Sequence, residues 1–242
     1  MERFLNRRFS EPSTTGVALH LPKVPVEVPE VALQAIENEV QHLYRLTEQS
    51  IREVMQAGAP SAKTGTWKRL LATEADPFAL YGQIKQLEDE ITAYFSELQE
   101  MPLEEEEVDK LNTLIMSTRS LVFAAKAFKD IQENVQQLYQ TAKPEEVEWL
   151  EKSRQFVLRQ LQEMRTYAQA GDYVETLPAW PAAHDSYYQE RLAETYEWVK
   201  QRPAGAAGIS TRTNVLRQIT NGLNNLSSAL YYWKTQKETV PS

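Results

Sequence analysis

The chain has 242 residues, of which 42% are hydrophobic and 25% charged, a composition typical of a folded globular protein. Its formal net charge is −8, which disfavours nucleic acid as a partner because phosphate binding requires a concentrated surface of Lys and Arg. The chain has no cysteine, so disulfides, thiolate metal ligands and cysteine nucleophiles are excluded. Its three histidines, His20, His42 and His184, form no HExxH zinc motif.

The first 30 residues differ in composition from the rest of the chain. Arg3, Arg7 and Arg8 stand among apolar residues, and four prolines at positions 12 to 29 prevent a regular helix. We expect this N-terminal arm to be mobile or held only by contacts with a partner or in a crystal, because the helices that follow are complete without it. No apolar run reaches the ~20 residues that span a bilayer. The N-terminus also lacks the apolar segment of a signal peptide.

After the arm, apolar residues recur every three or four positions in six successive segments, the period of amphipathic helices. The first predicted helix covers about 31–57, and the second ends before Pro102. The third begins at Glu104, whose acidic neighbours suit the positive end of a helix dipole, and is nearly 40 residues long. Pro144 opens the fourth helix, and the fifth lies around 183–201. Alternating strand-like runs are almost absent, so we predict an all-α fold.

The same periodicity predicts which side chains are buried. In the first helix the core positions include Leu33, Ile36, Val40, Leu43 and Ile51, and in the fifth they are Tyr188, Leu192, Tyr196 and Val199. Trp198 and Tyr231 lie off the apolar stripes of the last two helices. Because Tyr and Trp are enriched at protein interfaces, we predict that both face a partner.

Two segments of the chain look like diverged copies of one motif. Phe128–Glu133 lies in the third predicted helix and Leu216–Asn221 in the sixth, and their last residues are 88 positions apart (221 − 133). That separation is about the length of three helices joined by short loops. We therefore divide the chain into the arm, 1–30, a first three-helix unit, 31–142, and a second, 143–242.

Both segments resemble a motif of PhoU-like proteins, in which two acids four residues apart bind metal. Glu88–Ile91 in the second helix is similar to the acidic turn of a PhoU repeat, and Asn214–Asn221 keeps the Asn and the apolar frame of that family. The resemblance implies an elongated bundle made of two antiparallel three-helix units.

The acids of the PhoU-like motif are largely replaced in this chain. Lys129 and Glu133 occupy the two positions in the first copy, and Arg217 and Asn221 occupy them in the second. A cation beside Lys129 or Arg217 is repelled, and Glu133 alone supplies too few ligands. We therefore predict no bound metal and no cofactor, with a surface ion pair between Lys129 and Glu133.

The segment from Val24 to Glu39 resembles the stretch that follows the last membrane helix in bacterial sodium/phosphate cotransporters of the type II-related family. In that family a PhoU-like domain lies in the cytoplasm. The resemblance implies a non-enzymatic regulatory domain at the cytoplasmic face of the inner membrane. Its partners would be the membrane part of the same transporter and a second copy of the chain, and it would bind no small-molecule substrate. Arg3, Arg7 and Arg8 would then form a cationic membrane-proximal anchor.

Two alternatives belong to other functional classes. One is a free-standing PhoU-like adaptor that represses phosphate-uptake signalling by binding a transporter and a histidine kinase. The other is a helical enzyme or metalloprotein, which the missing metal ligands and the absence of a nucleophile elbow such as GxSxG make the weakest of the three.

Overall fold

The computed structural model describes residues 17–57, 77–141, 144–169, 178–201 and 208–234. Within these ranges the regular structure is helical and contains no strand, so the all-α prediction is confirmed. The α-helices are α1 (Pro29–Gln56), α2 (Pro77–Leu98), α3 (Glu105–Lys129), α4 (Gln132–Thr141), α5 (Pro144–Gln169), α6 (Trp180–Gln201) and α7 (Ile209–Lys234), and a short 3₁₀ helix, Leu21–Lys23, precedes them.

The start of α3 shows how the sequence fixes a helix end. Glu104 is the N-cap, and its carboxylate accepts a hydrogen bond from the backbone of Glu107. The Glu107 side chain in turn accepts from the Glu104 backbone N–H at 2.9 Å. This reciprocal capping box satisfies two N–H groups that have no partner within the helix.

The third predicted helix is divided, so its prediction as one helix of nearly 40 residues was wrong. α3 ends at Lys129 and α4 begins at Gln132. Between them the Ile131 N–H donates to the Phe128 carbonyl three residues back at 3.1 Å, which tightens the turn. Ile131 remains fully buried. No proline or glycine marks this break in the sequence, so periodicity alone could not locate it.

The helices pack around one hydrophobic core that contains residues of both predicted units. α1, α2 and α3 pack on one another, α6 packs on α7, and the most extensive contact joins α3 to α7. These two helices run antiparallel, because Ser117 bonds to the Ala229 carbonyl at 2.9 Å while Phe128 lies against Gly222. The contact between α3 and α7 therefore joins the helix in which the first copy of the motif begins to the helix that contains the second copy.

The buried face of α6 differs from the predicted one by one position. The buried residues are Trp180, His184, Tyr187, Arg191 and Thr195. Tyr196, which we predicted to be in the core, is 48% exposed. A shift of one residue rotates the buried face by about 100°. The prediction was wrong because three of the buried side chains are polar, and apolar periodicity does not detect them.

Candidate functional site

The repeated motif keeps its apolar frame in the structure. Its apolar positions, Phe128, Ile131, Leu216 and Ile219, are all fully buried in the core. The positions where the PhoU-like motif has acids lie outside this core: Lys129 is half-buried, and Glu133, Arg217 and Asn221 are exposed.

Lys129 pairs with Asp130 instead of Glu133. Its Nζ lies 3.9 Å from Asp130 Oδ1 and 5.3 Å above the ring of Tyr81. The predicted ion pair with Glu133 was wrong because the helix break at Asp130–Ile131 removes the one-turn spacing that the pair requires.

The second copy of the motif also holds local polar contacts. Arg217 donates to Asn214 Oδ1 at 2.9 Å, and the Asn221 carbonyl accepts from the Asn225 side chain at 2.8 Å. Across the described residues, no group of three or more His, Asp or Glu side chains is arranged to hold a metal ion. The absence of bound metal stays a prediction that elemental analysis tests.

Glu39 on α1 binds the N-terminal arm from inside the fold. Its side chain is fully buried, and Oε1 accepts hydrogen bonds from the backbone N–H groups of Leu19 at 2.5 Å, His20, and Leu21 at 3.4 Å. The His42 ring lies 3.3 Å from the other carboxylate oxygen. These contacts supply the hydrogen bonds without which a buried carboxylate would be strongly destabilising.

Glu90 on α2 holds the arm at a second point. Its two oxygens accept from the N–H groups of Val17 at 3.1 Å and Ala18 at 2.7 Å. Tyr94, one turn further along α2, donates its hydroxyl to the Val24 carbonyl at 2.9 Å. The backbone N–H groups of the arm therefore donate to side-chain carboxylates, whereas those of a helix or strand donate to backbone carbonyls.

The expectation of a mobile arm is wrong for residues 17–28. Ala18 and Leu21 are buried in the core, where they occupy space against α1 and α2. The basic residues Arg3, Arg7 and Arg8 lie outside the described residues. A sequence signal for the attachment did exist, since Glu39 falls within the buried stripe of α1, three residues after Ile36.

A second polar group lies among α5, α6 and α7. His184 is fully buried. Its Nδ1 lies 2.7 Å from the side-chain amide of Asn224, and its Nε2 lies 3.0 Å from that of Gln160. Burial lowers the pKa of His184, an effect that Asn224 and the nearby charge of Glu163 partly offset. Both contacts are made to amide oxygens, which accept hydrogen bonds, so a ring nitrogen that carries hydrogen donates to the amide oxygen that it faces.

Two buried arginines extend this group towards the start of α5. Arg191 donates to the Trp149 carbonyl at 2.7 Å, and its guanidinium lies 5.2 Å from the Trp149 ring. Arg212 lies 5.2 Å from the same ring and 3.9 Å from the ring of Trp198, with Glu146 at 3.6 Å. Trp198, predicted to face a partner, is thus half-buried under a guanidinium. Desolvated cation–π contacts of this kind stabilise the packing of three helices.

Tyr231, the other predicted partner-facing aromatic residue, is 49% exposed on α7. Its ring stands edge-to-face with Tyr232, 5.6 Å between centroids. On α3, the helix that packs against α7, Phe123 is 58% exposed and Met116 41%. Large apolar side chains are therefore accessible on both helices of the central pair.

The fold and these contacts define an all-α bundle with an N-terminal arm attached to two of its helices. None of the helices in the described ranges is both long and apolar enough to cross a membrane. Comparisons with protein-family models, with curated proteins and with solved structures found no match to this chain. The functional proposal therefore rests on the sequence motifs and on the geometry of the molecule.

Proposed function

We propose that this chain is a non-enzymatic, PhoU-like regulatory domain of a sodium-dependent phosphate cotransporter, located at the cytoplasmic face of the membrane. The observation that supports this function best is the attachment of the arm to the bundle. A domain that senses or regulates a membrane-embedded transporter must be mechanically connected to it. In this chain the connecting segment is bonded to the helices on which it lies.

The attachment involves two helices. Five successive N–H groups, from Val17 to Leu21, donate to carboxylates of α1 and α2. Hydrogen bonds to charged acceptors each contribute about 1.5–3 kcal/mol, so the segment is fixed relative to both helices. A displacement of the residues ahead of Val17 is then passed to the bundle, and a change in the bundle is passed back to them.

The motif-bearing helices support a binding role more than a catalytic one. The apolar frame of the PhoU-like motif stays buried, while Lys129 and Arg217 replace acids that bind metal in that family. The exposed aromatic residues Phe123 and Tyr231 on the same two helices offer apolar area to a partner. The partner in this proposal is the membrane part of the transporter or a second copy of the domain.

The alternative is a free-standing PhoU-like adaptor, and membrane fractionation distinguishes the two. In cells that naturally contain this chain, an antibody raised against residues 29–234 is used to follow it through an alkaline carbonate wash. The cotransporter domain stays in the membrane pellet, on a polypeptide much larger than 27.8 kDa. An adaptor is released into the supernatant at about its own mass.

The regulatory role is tested by phosphate uptake. We expect Glu39→Ala, introduced into the natural gene, to change the rate of sodium-dependent uptake of radiolabelled phosphate, because it detaches the arm from α1. The matched control is Glu30→Ala on the same helix, since Glu30 is exposed and has no side-chain partner among the described residues. Equal uptake by the two variants at equal protein levels would contradict the proposal.

A further inference from the structure

A pocket of about 420 Å³ opens between α1, α5 and the C-terminal end of α7. The side chains that determine its chemistry are Tyr44, Arg45, Glu48, Arg52, Arg165 and Trp233. This volume falls within the range of small-molecule sites. No described residue of the repeated motif or of the arm lines the pocket, so it is a separate feature of the molecule.

The pocket contains one buried carboxylate and three guanidinium groups. Glu48 is 3% exposed, and Arg52 and Arg165 each place an Nη2 2.7 Å from its Oε1. Arg165 Nε donates to the second oxygen at 2.9 Å. Two cations therefore share one anion. With Arg45 included, the formal charge of the lining is +2 (three arginines minus one glutamate), in a chain whose net charge is −8.

Arg45 is not needed for the neutralisation of Glu48. It is exposed and has no hydrogen-bond or ion-pair partner among the described residues. It lies two turns before Arg52 on α1, a spacing of seven residues that puts both side chains on one face of the helix. Arg52 and Arg165 contact Glu48 through Nε and Nη2, so each keeps Nη1 donors for a second acceptor.

The remaining wall is aromatic. Tyr44 and Trp233 both line the pocket, with ring centroids 6.1 Å apart and planes at 45°. The Tyr44 hydroxyl is buried and has no hydrogen-bond partner within the described part of the chain. An unpaired buried hydroxyl is costly, but this one is closed off from solvent, so a ligand in the pocket does not reach it without movement of the ring. Tyr44 is 3% exposed and Trp233 7%, so a flat apolar group in the pocket would contact a limited part of each ring.

We propose that this pocket binds an organic phosphate with a flat ring system, of about the size of a mononucleotide. The phosphate dianion matches the +2 charge of the lining, and arginine forks suit its oxygen geometry. The ring system would lie against Trp233 and Tyr44. Such a ligand is an effector and not a substrate, so it is compatible with the prediction that this segment binds no substrate. The inference rests on the pocket alone and is independent of the proposed function.

Isothermal titration calorimetry of the full chain at low ionic strength tests the inference with three probes: adenosine 5′-monophosphate, inorganic phosphate and adenosine. We expect the monophosphate to bind at least about tenfold more tightly than either of the others, since only it has both the anion and the ring. Arg45→Gln should weaken its binding about tenfold while leaving the thermal unfolding temperature unchanged, because Arg45 is exposed and unpaired.

The matched control is Arg119→Gln. Arg119 is an exposed arginine on α3 with no partner among the described residues and no place in the pocket. Its loss lowers the net charge equally, so binding should stay within about twofold of the wild-type value. The inference is overturned if no monophosphate binding is measured at millimolar concentration, if the two variants weaken binding equally, or if inorganic phosphate binds as tightly as the monophosphate.

Discussion

Gly222 on α7 lies against the ring of Phe128 on α3 so closely that a Cβ atom at position 222 would be 2.5 Å from Cε2 and 2.7 Å from Cδ2 of that ring. Phe128 is fully buried and opens the first copy of the repeated motif, while Gly222 directly follows the second copy. The close approach of the two copies therefore depends on the missing side chain at position 222.

We predict that Gly222→Ala destabilises the protein. Overpacking a core costs about 1–3 kcal/mol, and the better helix propensity of alanine offsets about 1 kcal/mol of it, so the net loss is up to about 2 kcal/mol. Urea unfolding followed by circular dichroism measures this change in the free energy of unfolding.

Gly82→Ala is the control for that substitution. Gly82 lies inside α2, and a Cβ there would have no atom within 4 Å. Alanine should stabilise this position by about 0.5–1 kcal/mol. The opposite signs of the two glycine substitutions separate packing from helix propensity. A stabilising effect of Gly222→Ala would show that α3 and α7 are not packed as described.

Glu39→Ala should release the arm and lower the free energy of unfolding by at least about 1.5–3 kcal/mol, the contribution of a single charge-assisted hydrogen bond. Hydrogen exchange at the amides of residues 19–21 should accelerate, because these N–H groups lose their acceptor. Glu30→Ala, at an exposed position, should stay within about 0.5 kcal/mol of the wild type. Unchanged exchange in the Glu39 variant would contradict the attachment.

The stability of the protein should depend on pH through His184. Burial lowers its pKa in the folded state, so the unfolded chain binds its proton more readily. The free energy of unfolding is therefore unaffected by this ring at pH values above the unfolded pKa of about 6.5, and it decreases as the pH falls below that value. The loss of unfolding free energy between pH 7.5 and pH 5.5 should be smaller in His184→Gln than in the wild type. Equal losses would mean that the buried ring does not resist protonation.

The protein should contain no stoichiometric transition metal after incubation with iron or zinc and dialysis. The expectation follows from the replacement of motif acids by Lys129, Arg217 and Asn221 and from the absence of cysteine. Elemental analysis provides the measurement. One bound ion per chain would require ligands that the repeated motif does not supply.

Arg3, Arg7 and Arg8 should increase binding to vesicles that contain anionic lipid, each by about 1 kcal/mol near the surface. Co-sedimentation of the wild type is compared with a variant in which all three are glutamine. Truncation before Pro29 is unsuitable because it would uncover the core contacts of Ala18 and Leu21. Binding should weaken with salt as the Debye length shortens. Equal sedimentation of the two proteins at low salt would favour the free-standing adaptor.

Much of the fold could be predicted because its helices bury apolar side chains at regular intervals. The predicted stripe of α1 is an example, since Leu33, Ile36, Val40, Leu43 and Ile51 are all buried. The predicted start of the third helix was also confirmed by the capping box at Glu104. Local sequence chemistry determines both features, so a single sequence is sufficient.

The polar interior could not be predicted in the same way. His184 and Arg191 lie on the buried face of α6, and Glu39 and Glu48 on that of α1, because partners distant in sequence supply their hydrogen bonds. Glu48, for example, contacts Arg165, which is 117 positions away. Hydropathy assigns such residues to the surface. The clue that was available is their spacing, since His184, Arg191 and Thr195 recur at helical intervals.

The two attachment points of the arm determine where a force applied to the chain would act. Glu39 lies ten residues into α1, and Glu90 lies in the second half of α2. Tension on the residues before Val17 would therefore load the middle of two neighbouring helices in parallel, and α1 would not unwind from its first turn. Under a pull on the N-terminus, α1 and α2 would therefore bear the load together until the hydrogen bonds to Glu39 and Glu90 break.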